Sequence, residues 1–145
     1  MINTTLSLNS KGDSFATLDI AILDLYNGNI EFIKNGAMPT YVKKGRNVEI
    51  IKAISLPTGI LNNIELVTYG KDIEENDIYV MCTDGVAESN EAYENKELWV
   101  KYILEDIETN EPTRIADILL KEAIDNNYGT PKDDMTVVVM RIDKV

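Results

Sequence analysis

Ile78-Tyr79-Val80-Met81-Cys82-Thr83 runs straight into Asp84-Gly85. An apolar stretch of this length, closed by a turn signal, reads as a buried strand. From Phe15 onward the elements upstream of it read as strands as well, and the helices of this core appear only after it. Phe15 to Tyr26 alternates, with Ala16, Leu18, Ile20 and Ile22 on one face and Thr17, Asp19, Ala21, Leu23 and Leu25 on the other. Asn27-Gly28 predicts a type I′ hairpin turn into a return strand from Asn29 to Lys34. Asn35-Gly36 and Pro39 end that strand, and a second hairpin pairs Thr40–Lys43 with Val48–Ala53 around Gly45-Arg46. Ser55 to Ile60 is a loop by its proline and glycine, Ile64–Tyr69 a further strand, and Glu74 to Asp77 a polar turn.

Downstream, Asn95 is placed to cap a helix whose inner stripe is Leu98, Trp99, Tyr102 and Ile103. Thr113 is placed to cap another, with Ile115, Ile118, Leu119 and Glu122 or Ala123 facing inward, ending near Asn127 to Gly129. A last strand runs from Met135 to Ile142. Six strands, two helices and one strand predict an α+β fold with largely antiparallel pairing, not a doubly wound sheet. A chain of 145 residues is one ordinary domain with room for one core.

Composition removes several chemistries. Histidine is absent, which excludes Ser-His-Asp and Cys-His nucleophile systems and any imidazole zinc site. The single cysteine, Cys82, excludes an internal disulfide and fits a reducing, cytoplasmic compartment. A net charge of −11 argues against nucleic acid and anionic membranes as partners. The charge is lopsided: residues 1–71 carry 7 bases and 6 acids, residues 72–145 carry 7 bases and 19 acids. Neither a membrane span nor a secretory signal is visible.

Two segments join a strand terminus to acid: Cys82-Thr83-Asp84-Gly85 and Lys132-Asp133-Asp134-Met135-Thr136. Carboxylates brought together there repel unless a cation lies between them, and hard oxygen donors suit Mg²⁺ or Mn²⁺. The same residues also read as plain turns, because Asp and Gly favour turns for conformational reasons. A thiolate phosphatase is a poor fit, since Cys82 is followed by acids at Asp84 and Glu88 and by no nearby arginine.

Taken in order, Phe15-Ala16-Thr17-Leu18-Asp19-Ile20-Ala21, Asp24 to Gly28, Asn35-Gly36-Ala37, Leu56-Pro57-Thr58-Gly59-Ile60, Thr83-Asp84-Gly85-Val86 and Lys132 to Thr136 carry a resemblance. Together with Asn95 to Val100, the chain resembles the C-terminal part of the PPM-type (protein phosphatase 2C-like) metal-dependent serine/threonine phosphatases, in their sporulation branch. The resemblance implies a β-sandwich flanked by helices and a two-metal centre of Mn²⁺ or Mg²⁺. It also implies a metal-bound water, rather than a side chain, as nucleophile. It places Asp84 and Asp133 on the same ion, with Asp134 next to them in a supporting role.

That family's first metal motif, an Asp-Gly pair on an early strand, is not in this sequence. Residues 1–14 are therefore expected to be a remnant helix or linker ahead of a 15–142 core in an N-terminally truncated domain. Two functions follow. One is part of a protein serine phosphatase acting on a phosphorylated anti-sigma-factor antagonist, inactive as this fragment and holding metal weakly or not at all. The other is a non-catalytic phosphatase-like module for assembly or partner binding. Missing early strands would also leave the apolar strand from Phe15 uncovered, so the fragment is expected to form homo-oligomers.

Overall fold

The computed structural model describes residues 15–60 and 67–143. The expectation for residues 1–14, and the start of the strand expected from Ile64, lie outside the described residues. In chain order the strands are β1 (Leu18–Asp24), β2 (Asn29–Asn35), β3 (Thr40–Lys44), β4 (Asn47–Ile51), β5 (Val67–Asp72), β6 (Ile78–Cys82) and β7 (Val137–Arg141). Three helices, α1 (Asp84–Ala87), α2 (Glu97–Asp106) and α3 (Pro112–Asn126), separate β6 from β7. All strand pairs are antiparallel, so the fold is α+β with antiparallel sheets and flanking helices. Among the described residues no helix is long and apolar enough to cross a membrane.

The chain divides into two compact units. The first holds a three-stranded sheet in the order β1-β2-β5. Ile30 and Phe32 of β2 are fully buried, and Lys34 is buried with its ammonium 2.6 Å from both carboxylate oxygens of Asp19, its partner across the β1–β2 register. Burial pushes the Asp19 carboxyl above its ordinary range, while the Lys34 hydrogen bond and charge pull it back down.

The hairpin between β1 and β2 is not the expected two-residue turn. The ladder closes at Asp24↔Asn29, leaving a four-residue loop in which Gly28 alone has positive φ. The Asp24 side chain takes over the turn, accepting from the main-chain N–H groups of Tyr26 and Asn27 and from the Asn27 amide. Strand β1 therefore ends two residues earlier than its apolar pattern predicts, and Leu25 and Tyr26 lie exposed.

Two of the quoted motifs meet in this unit. Gly36 (φ +61°) lies so close to Pro57 that an added Cβ would be 2.6–2.8 Å from proline atoms. Its N–H donates to Ser55 Oγ, which in turn donates to the Lys34 carbonyl, and Ala16 bridges Thr58. Gly36→Ala is expected to cost about 1–3 kcal/mol, from both the left-handed backbone and the overlap. Urea denaturation of the variant checks it; an unchanged midpoint would show that the 55–58 loop yields freely.

The second unit carries the four-stranded sheet β4-β3-β6-β7 and the helices. The β3–β4 hairpin turns at Gly45-Arg46, with Gly45 at φ +61° and Arg46 outside the positive region, the sign pattern of a type II′ turn. Ile78 and Val80 of β6 pack with Tyr41, with Val86 of α1, with Trp99, Val100 and Leu104 of α2, and with Ile115, Leu119 and Ala123 of α3. Tyr41 donates to the Glu97 carbonyl and Lys43 to the Leu104 carbonyl, tying β3 to both ends of α2.

Three helix expectations need correction. Tyr102 is exposed, because the buried stripe of α2 is Trp99, Val100 and Leu104. Thr113 does not cap α3; Pro112 occupies the first turn and Glu111 the cap position, as proline's fixed φ and missing N–H favour. The cap position of α2 is Lys96 rather than Asn95, though the Asn95 side chain, one residue earlier, accepts the Glu97 N–H at 3.2 Å.

Candidate metal centre

The antiparallel register of β6 and β7 pairs Cys82 with Val137. Continuing it beyond the strands sets Thr83 against Thr136 and Gly85 against Asp134. Hydrogen bonds follow that continuation. Thr83 N–H donates to the Thr136 carbonyl (3.1 Å), Thr136 N–H to Thr83 Oγ1 (3.0 Å), and the Thr83 hydroxyl to the Asp134 carbonyl (3.1 Å). Gly85 then lies so near the 133–134 turn that a Cβ on it would sit 2.4 Å from the Asp134 carbonyl oxygen and 3.3 Å from Asp133 Cβ. Only a residue without a Cβ allows this approach.

On the other side, α1 begins as β6 ends. Val86 and Ala87 N–H groups donate to the Thr83 carbonyl and Glu88 N–H to the Asp84 carbonyl, so Asp84 and Glu88 are one turn apart. The Trp99 indole N–H donates to the Ala87 carbonyl at 2.8 Å, anchoring α1 to the core. The result is a cleft of about 280 Å³ lined by Asp84, Glu88, Glu91, Asp133, Lys96 and Lys132, together with Gly85, Ser89 and Asn127.

Asp84 and Asp133, 49 residues apart in sequence, thus share one cleft. Asp84 Oδ1 accepts the Gly85 N–H and Asp133 Oδ1 the Asp134 N–H, and among the described residues the second oxygen of each has no protein partner. Asp134 contributes its main chain to the joint with Thr83 rather than lining the cleft. Four acids against two lysines leave the lining at a net −2, a setting that favours a divalent cation.

The donor chemistry fits one hard ion such as Mg²⁺ or Mn²⁺, which is commonly held by one or two carboxylates with water completing the shell. Among the described residues no group of three acidic or thiol side chains is placed to hold a metal.

Sequence reading did not single out Glu88, Glu91 or Lys96. The signal for Glu88 was its spacing of four from Asp84, legible once Asp84–Ala87 is recognised as a helical turn, which Gly85 disguises.

Comparison with known proteins identifies the family. The sequence profile of the stage II sporulation protein E (SpoIIE) family matches residues 1–143. The chain is 38% identical over 142 residues to stage II sporulation protein E of Bacillus subtilis (strain 168), covering 98% of this chain and 17% of that protein. It is 38% identical over 141 residues to its Priestia megaterium counterpart, covering 97% and 24%. The chain thus spans about a quarter or less of these relatives. A solved structure of the PP2C phosphatase domain with a fragment of the regulatory domain of SpoIIE from Bacillus subtilis superposes with a TM-score of 0.89 at 38% identity. That match covers 97% of this chain and 43% of the other. This chain belongs to the stage II sporulation protein E family and has the fold of its PPM-type phosphatase domain.

Proposed function

We propose that this chain forms the Asp84/Asp133 half of the metal centre of a protein serine phosphatase of sporulation, whose substrate is a phosphorylated anti-sigma-factor antagonist. The observation that carries the reading is the convergence of two carboxylates, each with an unused oxygen, in one acidic cleft. Asp84 and Asp133 hold a divalent ion, and Asp134 holds Asp133 in place through the turn it shares with Thr83. When bound, Mn²⁺ or Mg²⁺ supplies Lewis-acid stabilisation of charge on the phosphoryl oxygens. The chain's own residues set the spacing of the donors, with Gly85 permitting the approach and the threonine bonds fixing it.

Two carboxylates are a small donor set, so this chain by itself is expected to bind Mn²⁺ weakly. It is also expected to hydrolyse a phosphoserine protein negligibly, even in excess Mn²⁺. Asp84→Asn removes one of the two anionic donors and should weaken Mn²⁺ binding at least about tenfold. Water-proton relaxation during Mn²⁺ titration reads this directly. Equal binding by the wild type and Asp84→Asn would sink the metal assignment and favour the non-catalytic, partner-binding module.

Self-association belongs to the same reading. Strand β1 is an edge of its sheet among the described residues, and Ile22 on it is exposed. Sedimentation should show association of the wild type that Ile22→Lys diminishes; a wild-type monomer at micromolar concentration would contradict it.

A further inference from the structure

Lys96 and Lys132 are the cationic residues lining the cleft, and each is held by an acid that also lines it. Lys132 Nζ lies 2.7 Å from Glu91 Oε1, and Lys96 Nζ lies 3.5 Å from Glu88 Oε2. The hydrogen bond and charge of Lys132, with a smaller contribution from Lys96, hold the Glu91 carboxyl below its ordinary range. The two ion pairs therefore form one cluster beside Asp84 and Asp133. All four side chains are substantially exposed, and exposed pairs of this kind are weak and exchange readily.

We infer that Lys132 and Lys96 are the phosphoryl-binding cations of this cleft, kept in reserve by Glu91 and Glu88 until a substrate phosphate displaces the carboxylates. The inference rests on the metal-centre reading above. A lining of net −2 repels phosphate on its own, and a divalent ion cancels that charge. A phosphate monoester then brings about two negative charges and three strong acceptor oxygens, against the single charge of Glu91. Lys132 directly precedes Asp133, so an ammonium that turns from Glu91 stays beside the metal-binding carboxylate. The acids thus serve as internal competitors: they set the threshold that a phosphorylated ligand must exceed, and an unphosphorylated one does not.

The test is binding of inorganic phosphate and of phosphoserine to this chain at saturating Mn²⁺, with Mn²⁺ affinity measured in parallel by water-proton relaxation. Lys132→Met should weaken phosphate binding about tenfold, the scale of one charge-assisted hydrogen bond, without reducing Mn²⁺ affinity. Glu91→Gln should tighten phosphate binding by about threefold, since it frees Lys132 from an exposed pair. The double variant should behave like Lys132→Met alone. A merely structural ion pair would make the two single variants alike, and phosphate affinity indifferent to Lys132 would overturn the inference. So would a wild type that binds Mn²⁺ and no phosphate. A wild type that binds no Mn²⁺ overturns instead the metal centre on which the inference stands.

Discussion

Trp99→Ala should lower folding stability by about 3–5 kcal/mol, the usual cost of truncating a buried aromatic. Trp99 is 2% exposed and sits where α1, α2 and β6 meet, so neighbours on several elements lose contact at once. Its indole N–H also satisfies the Ala87 carbonyl at the end of α1, at 2.8 Å. Trp99→Phe separates the two contributions. It keeps most of the volume but strands that buried carbonyl, for a smaller loss of about 1–3 kcal/mol. Trp99 is the only tryptophan, so unfolding has to be followed by far-UV circular dichroism in urea rather than by fluorescence. A loss below about 1 kcal/mol for Trp99→Ala would mean that α1 is held by something other than this anchor. The consequence reaches the cleft, because Asp84 is the first residue of the helix that Trp99 pins.

Why Trp99 was legible in the sequence and Tyr102 was misjudged comes down to helix phase. Both fit an apolar stripe, but Trp99, Val100 and Leu104 define the buried arc, and Tyr102 falls to its side. A period of 3.6 leaves that choice open until the facing sheet is known. Strand β6 was legible because a short uncharged run between turn signals has few other uses, and Ile78, Tyr79 and Val80 are all buried. The β1–β2 turn misled for a local reason. Asn27-Gly28 signals a type I′ turn, yet Asp24 captures the Tyr26 and Asn27 N–H groups and opens the loop two residues earlier. Side-chain competition of that kind depends on geometry that spacing does not carry.

The site divides in the same way. Asp84 and Asp133 were readable as acids at strand ends, and the β6–β7 register brings those ends together. Glu91 and Lys96 enter the cleft from the connection between α1 and α2, whose path follows from tertiary packing. No periodicity announces them. All the carboxylates lining the cleft lie in the acid-rich second half of the sequence, although a lopsided charge by itself is as well explained by a solvated surface.

The sharpest consequence concerns Gly85, which has no unusual φ to explain it. Its role is the absence of a side chain: a Cβ would lie 2.4 Å from the Asp134 carbonyl oxygen, a contact that main chain cannot absorb without moving. Gly85→Ala should therefore push the 133–134 turn away from α1 and strain the Thr83 hydroxyl bond to Asp134. The folding cost is that of overpacking, about 1–3 kcal/mol. The larger effect falls on metal binding, since the displaced turn carries Asp133 away from Asp84. A loss of about 10–100-fold in Mn²⁺ affinity is expected, the range seen when groups that orient metal ligands are removed. Thr83→Val is the companion variant, removing the hydroxyl that holds the turn while adding no bulk toward Asp134. It should weaken Mn²⁺ binding in the same direction, by less. Mn²⁺ titration of both variants at a temperature where each is fully folded separates geometry from stability. If Gly85→Ala keeps wild-type Mn²⁺ affinity while losing stability, the closeness of the two turns serves packing alone, and Asp84 and Asp133 do not act on a common ion.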